Sequence, residues 1–160
     1  MDSELTVREV DDGEREWLAG VLQEAWGDRV VSRGRVIDPT PLPAVVCLRG
    51  GRPVGVATYD PGDVDCELVT IDAFREHGGV GSALLGAVAD AARARGCRRL
   101  WLITTNDNLD ALRFYQRRGM RLAAVHPRAI EVSRSLKPSI PPTGHYGIEI
   151  RDELELEMLL

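Results

Sequence analysis

Apolar positions along the chain recur with two spacings, every second residue in some stretches and every third or fourth in others. The two patterns alternate, which predicts an α/β fold. "ELTVREV" (4–10) alternates and reads as a first strand. In the segment after it, Trp17, Leu18, Val21, Leu22, Ala25 and Trp26 share one helical face, with Gly27 placed to end the helix. Residues 28–43 hold three prolines, with Arg33 and Arg35 around Gly34, and read as a loop or a broken second helix. "AVVCLRGGRPVGVATYD" (44–60) is two strands joined by a glycine turn. "VDCELVTIDAF" (64–74) is a further strand and runs into "REHGGVGS". Val80, Ala83, Leu84, Ala87, Val88 and Ala91 then mark a helix that stops at Gly96. "CRRLWLITT" (97–105) is a strand, "NLDALRFYQRRG" (108–119) a short helix capped by Asn108 and stopped by Gly119, and "MRLAAVHP" (120–127) a strand. Residues 127–147 carry four prolines and read as an irregular arm, apart from a turn of helix near 129–136. "DELELEMLL" (152–160) alternates strictly and predicts a final edge strand with one charged face.

Composition narrows the class. With 160 residues, 44% of them apolar, the chain can bury the core of a single domain, here with a core over 3–126, an arm over 127–147 and a last strand over 152–160. Its apolar runs are far shorter than a membrane span, and the acidic start "MDSELTVREV" differs from a basic signal peptide, so a cytoplasmic protein with no membrane partner is expected. A net charge of −5 argues against nonspecific nucleic-acid binding, which needs a basic face. Cys47, Cys66 and Cys97 are too scattered for a disulfide framework or a zinc site and read as buried free thiols. His126 and His145 lie beside prolines and glycines, and no His/Cys/Asp spacing suggests a metal.

The glycine stretch changes the picture most. A glycine-rich turn between a strand and a helix presents unpaired first-turn N–H groups and the positive end of the helix dipole, a ready anion site. A dinucleotide fold needs G-x-G-x-x-G, but after Gly79 and Gly81 the third position is Leu84. A phosphate loop of the Gly-Lys-Ser/Thr kind needs a lysine that is absent here. A plain flexible turn is the remaining alternative.

Two segments together resemble the GNAT superfamily of N-acyltransferases, which use acetyl-CoA. That family's pyrophosphate loop reads roughly Gln/Arg-x-x-Gly-x-Gly/Ala, and its second signature Asn-x-x-Ala-x-x-Phe-Tyr with a closing glycine. Gly79-Val80-Gly81 matches the first, and Asn108, Ala111, Phe114, Tyr115 and Gly119 match the second. The order of strands and helices from residue 4 to 126 also matches. The resemblance implies a GNAT-type α/β fold, a mixed central sheet of six to seven strands with helices on both faces. One departure stands out: the Gln/Arg position falls on Glu76, which implies that its backbone N–H and not its side chain meets the pyrophosphate. The positive charge is then left to Arg75, or replaced by backbone amides.

The resemblance also assigns roles. Acetyl-CoA would be held by Ile71, Glu76, His77, Gly78, Gly79, Val80, Gly81, Ser82 and Asn108, although Asn108 and Ser82 are equally helix-capping residues. Tyr115 would protonate the departing thiolate, its alternative being a core aromatic beside Phe114. An alkylammonium with a pKa near about 10.4 must lose a proton before it attacks. Glu67 or Asp65, two apart on one strand and so on one face, would take that proton. Backbone amides near Val69–Ile71 would receive the oxyanion if the strand bulges there.

The resemblance makes Trp26, Ser32, Arg33 and Arg35 candidates for binding the acceptor, a small-molecule or peptide amine, and Trp26 is also a core residue by its spacing. The proline-rich arm would cover the acceptor or pack across a homodimer. The implied activity is direct acetyl transfer in a ternary complex. A catalytically silent CoA-binding module on the same scaffold is the alternative.

Overall fold

The computed structural model describes residues 4–74 and 78–160. In chain order its elements are β1 (Leu5–Glu9), α1 (Arg15–Trp26), β2 (Val30–Ser32), β3 (Arg35–Ile37), β4 (Ala44–Arg49), β5 (Arg52–Pro61), β6 (Asp65–Ala73) and α2 (Val80–Ala94). They continue with β7 (Arg99–Thr105), α3 (Leu109–Arg117), β8 (Arg121–His126), α4 (Ala129–Leu136) and β9 (Glu153–Leu159). The chain forms two compact units, Met1–Asp28 with Asp38–Leu100 and Leu160, and Arg29–Ile37 with Trp101–Leu159. The seven-stranded sheet takes β1-β4-β5-β6 in order from the first unit and β7-β9-β8 from the second.

In the first unit each neighbouring pair of strands is antiparallel. The turn from β4 to β5 has Gly50 and Gly51 at φ 58° and 77°, the left-handed pair that a tight two-residue hairpin needs. Leu18 and Leu22, one turn apart on α1, are fully buried against Val10, Ala44, Val46 and Val56. Each leucine so buried contributes roughly 1.5–3 kcal/mol. Trp17, placed on that face by its spacing, instead remains 37% exposed at the margin of the stripe. The buried stripe of α2 is Val80, Leu84, Leu85, Val88, Ala89 and Ala92. Gly55 on β5 lets this helix come close, because a Cβ there would sit 2.6 Å from Val80 Cγ1 and 2.7 Å from the Asp72 carbonyl oxygen.

The second unit differs from the sequence expectation in two places, the segment after α1 and the position of β9. Within residues 28–43 the β2–β3 hairpin takes the place of the expected loop or broken helix up to Ile37, turned by Arg33 and Gly34 at φ 52° and 72°, and a loop follows over 38–43. β-Branched Val30, Val31, Val36 and Ile37 favour strand over helix, and the prolines lie beyond the hairpin.

The arm after β8 is ordered. α4 occupies it as the spacing suggests, and Asn106 fastens its far end by donating to the Glu149 carbonyl and accepting from the Arg151 and Asp152 amides.

The last strand, β9, is not at the edge: it lies between β7 and β8, and its charged residues Glu153 and Glu155 are 2% and 6% exposed. Alternation marks two faces without saying which meets water. Here groups that donate hydrogen bonds cover the acidic one.

Candidate active site

In the first unit the candidate positions are built largely from backbone. Gly78 and Gly79 open α2 with φ of 91° and 79°, conformations that L side chains rarely adopt, and both are exposed. Val80 is buried and faces the core, so only its amide is available at the turn, while Ser82 is exposed in the first helical turn. Gly81 is half-buried. Glu76 and His77, with Arg75, lie outside the described residues.

A cation absent from the sequence reading stands at this turn. Arg49, at the end of β4, donates through Nη2 to the Gly78 carbonyl at 3.1 Å. A Cβ at Gly78 would run into this guanidinium, and the buried Arg49 Nε has no partner among the described residues. Twenty-nine residues separate the two, so no local spacing could have revealed the pair.

The neighbouring strand carries the irregularity that the resemblance implied. Thr58 pairs with Thr70 and Tyr59 with Leu68, which leaves Val69 on β6 as the extra residue of a β-bulge. The two threonine hydroxyls meet at 2.6 Å beside it, both buried. A bulge withdraws a backbone amide from the ladder and redirects it. Ile71, two residues on, is half-buried.

Glu67 is 4% exposed, whereas Asp65 is exposed and lies 3.6 Å from the Arg99 guanidinium. Cys66 between them is buried, which pushes its thiol up to about 12 and keeps it protonated and inert. Cys47 and Cys97 are likewise buried free thiols. Trp26 packs against the α1 core, and its indole N–H donates to Asp72 at 2.6 Å. Burial holds the Asp72 carboxyl above its ordinary range, and the indole bond only partly offsets this.

In the second unit the candidate positions are side chains. Asn108 Oδ1 accepts from the Ala111 amide at 3.2 Å and caps α3, which leaves its Nδ2 as the end suited to a ligand. Tyr115 is 7% exposed and meets Phe114 edge to face at 5.1 Å. The Arg118 guanidinium covers the other aromatic, 3.8 Å from the Phe114 centroid. Gly119 ends α3 with φ 92°.

Ser32 is buried at the end of β2 and Arg33 is exposed at the hairpin turn. The structure brings them to groups that the sequence reading had placed elsewhere. The Arg33 amide donates to Glu153 at 3.1 Å, its guanidinium lies 3.7 Å from Glu155, and it stacks over Trp101 at 5.6 Å. Trp101 carried no role in the sequence, and the two glutamates fell on the charged face of an expected edge strand.

No helix among the described residues is long and apolar enough to cross a membrane. None of their His, Cys, Asp and Glu side chains gather into a group of three that could hold a metal.

Comparison with known proteins adds to this geometry. The profile of the acetyltransferase (GNAT) family matches residues 8–120, more than half of the chain. The protein YdhI of Bacillus subtilis (strain 168), itself uncharacterized, is 47% identical over 104 residues, which are 65% of this chain and 65% of that relative. Among solved structures, the IAA acetyltransferase of Bacillus cereus shares 19% identity over 98% of this chain and 100% of its own, with a TM-score of 0.71. A GNAT family acetyltransferase from Elizabethkingia anophelis with acetyl-CoA bound shares 18% over 98% of both chains, with a TM-score of 0.70. At these identities the solved structures establish a common fold.

Proposed function

We propose that this chain, which belongs to the acetyltransferase (GNAT) family, moves an acetyl group from acetyl-CoA to an amine by direct transfer. The observation that carries the reading is the exposed glycine turn at the start of α2, with Arg49 beside it. The fit to a pyrophosphate is chemical. Amides at the start of the helix and a guanidinium are donors for an anion, and the two exposed glycines allow close approach. Gly78, Gly79, Val80, Gly81 and Ser82 would hold the pyrophosphate, with Arg49 supplying positive charge beside them. Ile71 and the Asn108 Nδ2 would meet the pantetheine arm.

Acetyl-CoA brings the activated acyl group, and CoA leaves as a thiol. The remaining work falls to the chain. The acceptor ammonium must give up a proton, and Glu67, the more deeply buried carboxylate of the two on β6, is the proposed base. Asp65, exposed and beside Arg99, is better suited to attracting a cation toward the strand. The bulge at Val69 offers a backbone amide to the developing oxyanion. Tyr115 donates its phenolic proton to the departing sulfur.

The test is release of CoA thiol from acetyl-CoA with a panel of amines, comparing the wild type with Tyr115→Phe and Glu67→Gln. Turnover that falls at least about a hundredfold in Tyr115→Phe supports the assignment. Tight acetyl-CoA binding with no turnover on any amine would favour a silent CoA-binding module instead.

A further inference from the structure

Arg49 stands at the glycine turn in a way that charge alone does not explain. The β4–β5 hairpin turns through Gly50 and Gly51 directly after it, which fixes the root of the side chain, and the register sets Arg52 opposite. Two like charges facing each other across a strand pair repel. The Arg49 guanidinium reaches to the Gly78 carbonyl, which accepts from Nη2 at 3.1 Å. It fills the space that a side chain at Gly78 would need, since a Cβ there would lie 3.0 Å from Cζ and closer still to Nη2. The Arg49 Nε is buried and has no partner among the described residues, an arrangement that costs stability.

The bond to Gly78 sets the direction of a peptide. The Gly78–Gly79 peptide is planar and trans, so its C=O and N–H point in opposite directions. With the carbonyl held on the half-buried Arg49, the Gly79 N–H points the other way, and both glycines are exposed. We infer that Arg49 is a positioning residue for the anion site: by holding the Gly78 carbonyl it keeps the Gly79 N–H facing the pyrophosphate of CoA. The role rests on the acetyl-CoA reading above and goes beyond it, because the arginine then acts through the backbone as well as by its charge. All of these residues lie in the first unit.

Two successive glycines make such a restraint necessary. A flip of their shared peptide changes ψ of Gly78 and φ of Gly79 together, and glycine takes either sign of φ at little cost. Gly79 stands at φ 79°, so a half-turn returns it to the negative range open to every residue. The flipped turn would present a carbonyl oxygen to the anion in place of a donor. The residues that let a phosphate approach closely thus also permit the wrong orientation. A side chain 29 positions away decides between the two.

Salt separates positioning from charge, because raising it from about 0.1 M to about 1 M shortens the reach of a charge from about 10 Å to about 3 Å. The dissociation constant of acetyl-CoA is measured by calorimetry on the full chain at both concentrations. The variants are Arg49→Ala and Arg49→Met, the second keeping the apolar stem in place. At the lower salt each should bind about 10–100-fold more weakly than the wild type, the worth of a hydrogen bond to a charged group. A deficit of at least about tenfold should persist at the higher salt. Crystal structures of the unliganded wild type and Arg49→Met supply the second readout. The Gly78 carbonyl should face Arg49 in the first and turn outward, or occupy both orientations, in the second. A deficit that vanishes at high salt, or a carbonyl that keeps its wild-type direction in Arg49→Met, would overturn the positioning role and leave the acetyl-CoA reading standing. Failure of the wild type itself to bind acetyl-CoA would remove both.

Discussion

The two compact units build their candidate functional positions from different materials. In the first, the positions are backbone: two left-handed glycines, the amides of a helix start and a strand bulge at Val69. In the second the candidate positions are side chains, Tyr115, Asn108 and Arg33, the last engaged by buried Glu153 and Glu155. Charge follows the same division, since the first unit carries a net −8 and the second +3. A backbone site tolerates side-chain loss and is damaged by added atoms. A side-chain site is damaged by removing them. The first unit should therefore fail by gain of volume and the second by deletion.

The largest effect expected is deletion of one oxygen. Tyr115→Phe keeps the ring that packs on Phe114 and should lower kcat by about 10²–10⁴ while leaving the thermal midpoint close to wild type. A midpoint that collapsed with the activity would make Tyr115 a core residue. Next is Glu153→Ala, which leaves the Ser133 hydroxyl and the Arg33 amide without their acceptor and costs about 3 kcal/mol. Thermal melts should show a fall of roughly 6–12 °C, with a smaller fall for Glu153→Gln, which retains one acceptor oxygen.

Gly55→Ala probes the opposite mode. The new Cβ would press on Val80 and on the Asp72 carbonyl, costing about 1–3 kcal/mol. It should also weaken acetyl-CoA binding by displacing the first turn of α2, although residue 55 touches no ligand. A variant that lost stability but kept full affinity would separate the helix start from the binding site.

Asp72→Asn is the mildest. Burial raises the Asp72 carboxyl, so its ionised form costs stability that is absent below the ordinary carboxylate range and complete once pH exceeds the folded-state value. The asparagine still accepts from Trp26. Its midpoint at pH 7 should therefore equal or exceed that of wild type, with the advantage shrinking as pH falls toward 3. A loss at pH 7 would mean that the charge itself is needed.

The contrast also explains what could be read from the sequence. Glycines that must adopt positive φ are scarce and specific, so Gly78, Gly79 and Gly119 stand out in a linear string, as does the Asn108 cap three residues before Ala111. Strands and helices with a strong period were legible for the same reason: one local rule sets each. What escaped depends on contacts between distant residues. Arg49 reaches Gly78 across 29 positions, and Arg33 reaches Glu153 across 120. The strict alternation of β9 located the glutamates on one face, but the hairpin and α4 that bury that face are specified elsewhere in the chain. The bulge at Val69 has no residue signature of its own, since every residue of Cys66–Thr70 is buried and β-compatible.

The most direct measurement is the thermal midpoint with and without acetyl-CoA. Ligand at about 100 times its dissociation constant adds roughly 2.7 kcal/mol. In a chain of this size that corresponds to a rise of about 5–10 °C. Gly81→Asp, which places a carboxylate where the pyrophosphate is proposed to bind, should remove most of that rise. No shift in the wild type at millimolar acetyl-CoA, or an undiminished shift in Gly81→Asp, would contradict the assignment of the glycine turn.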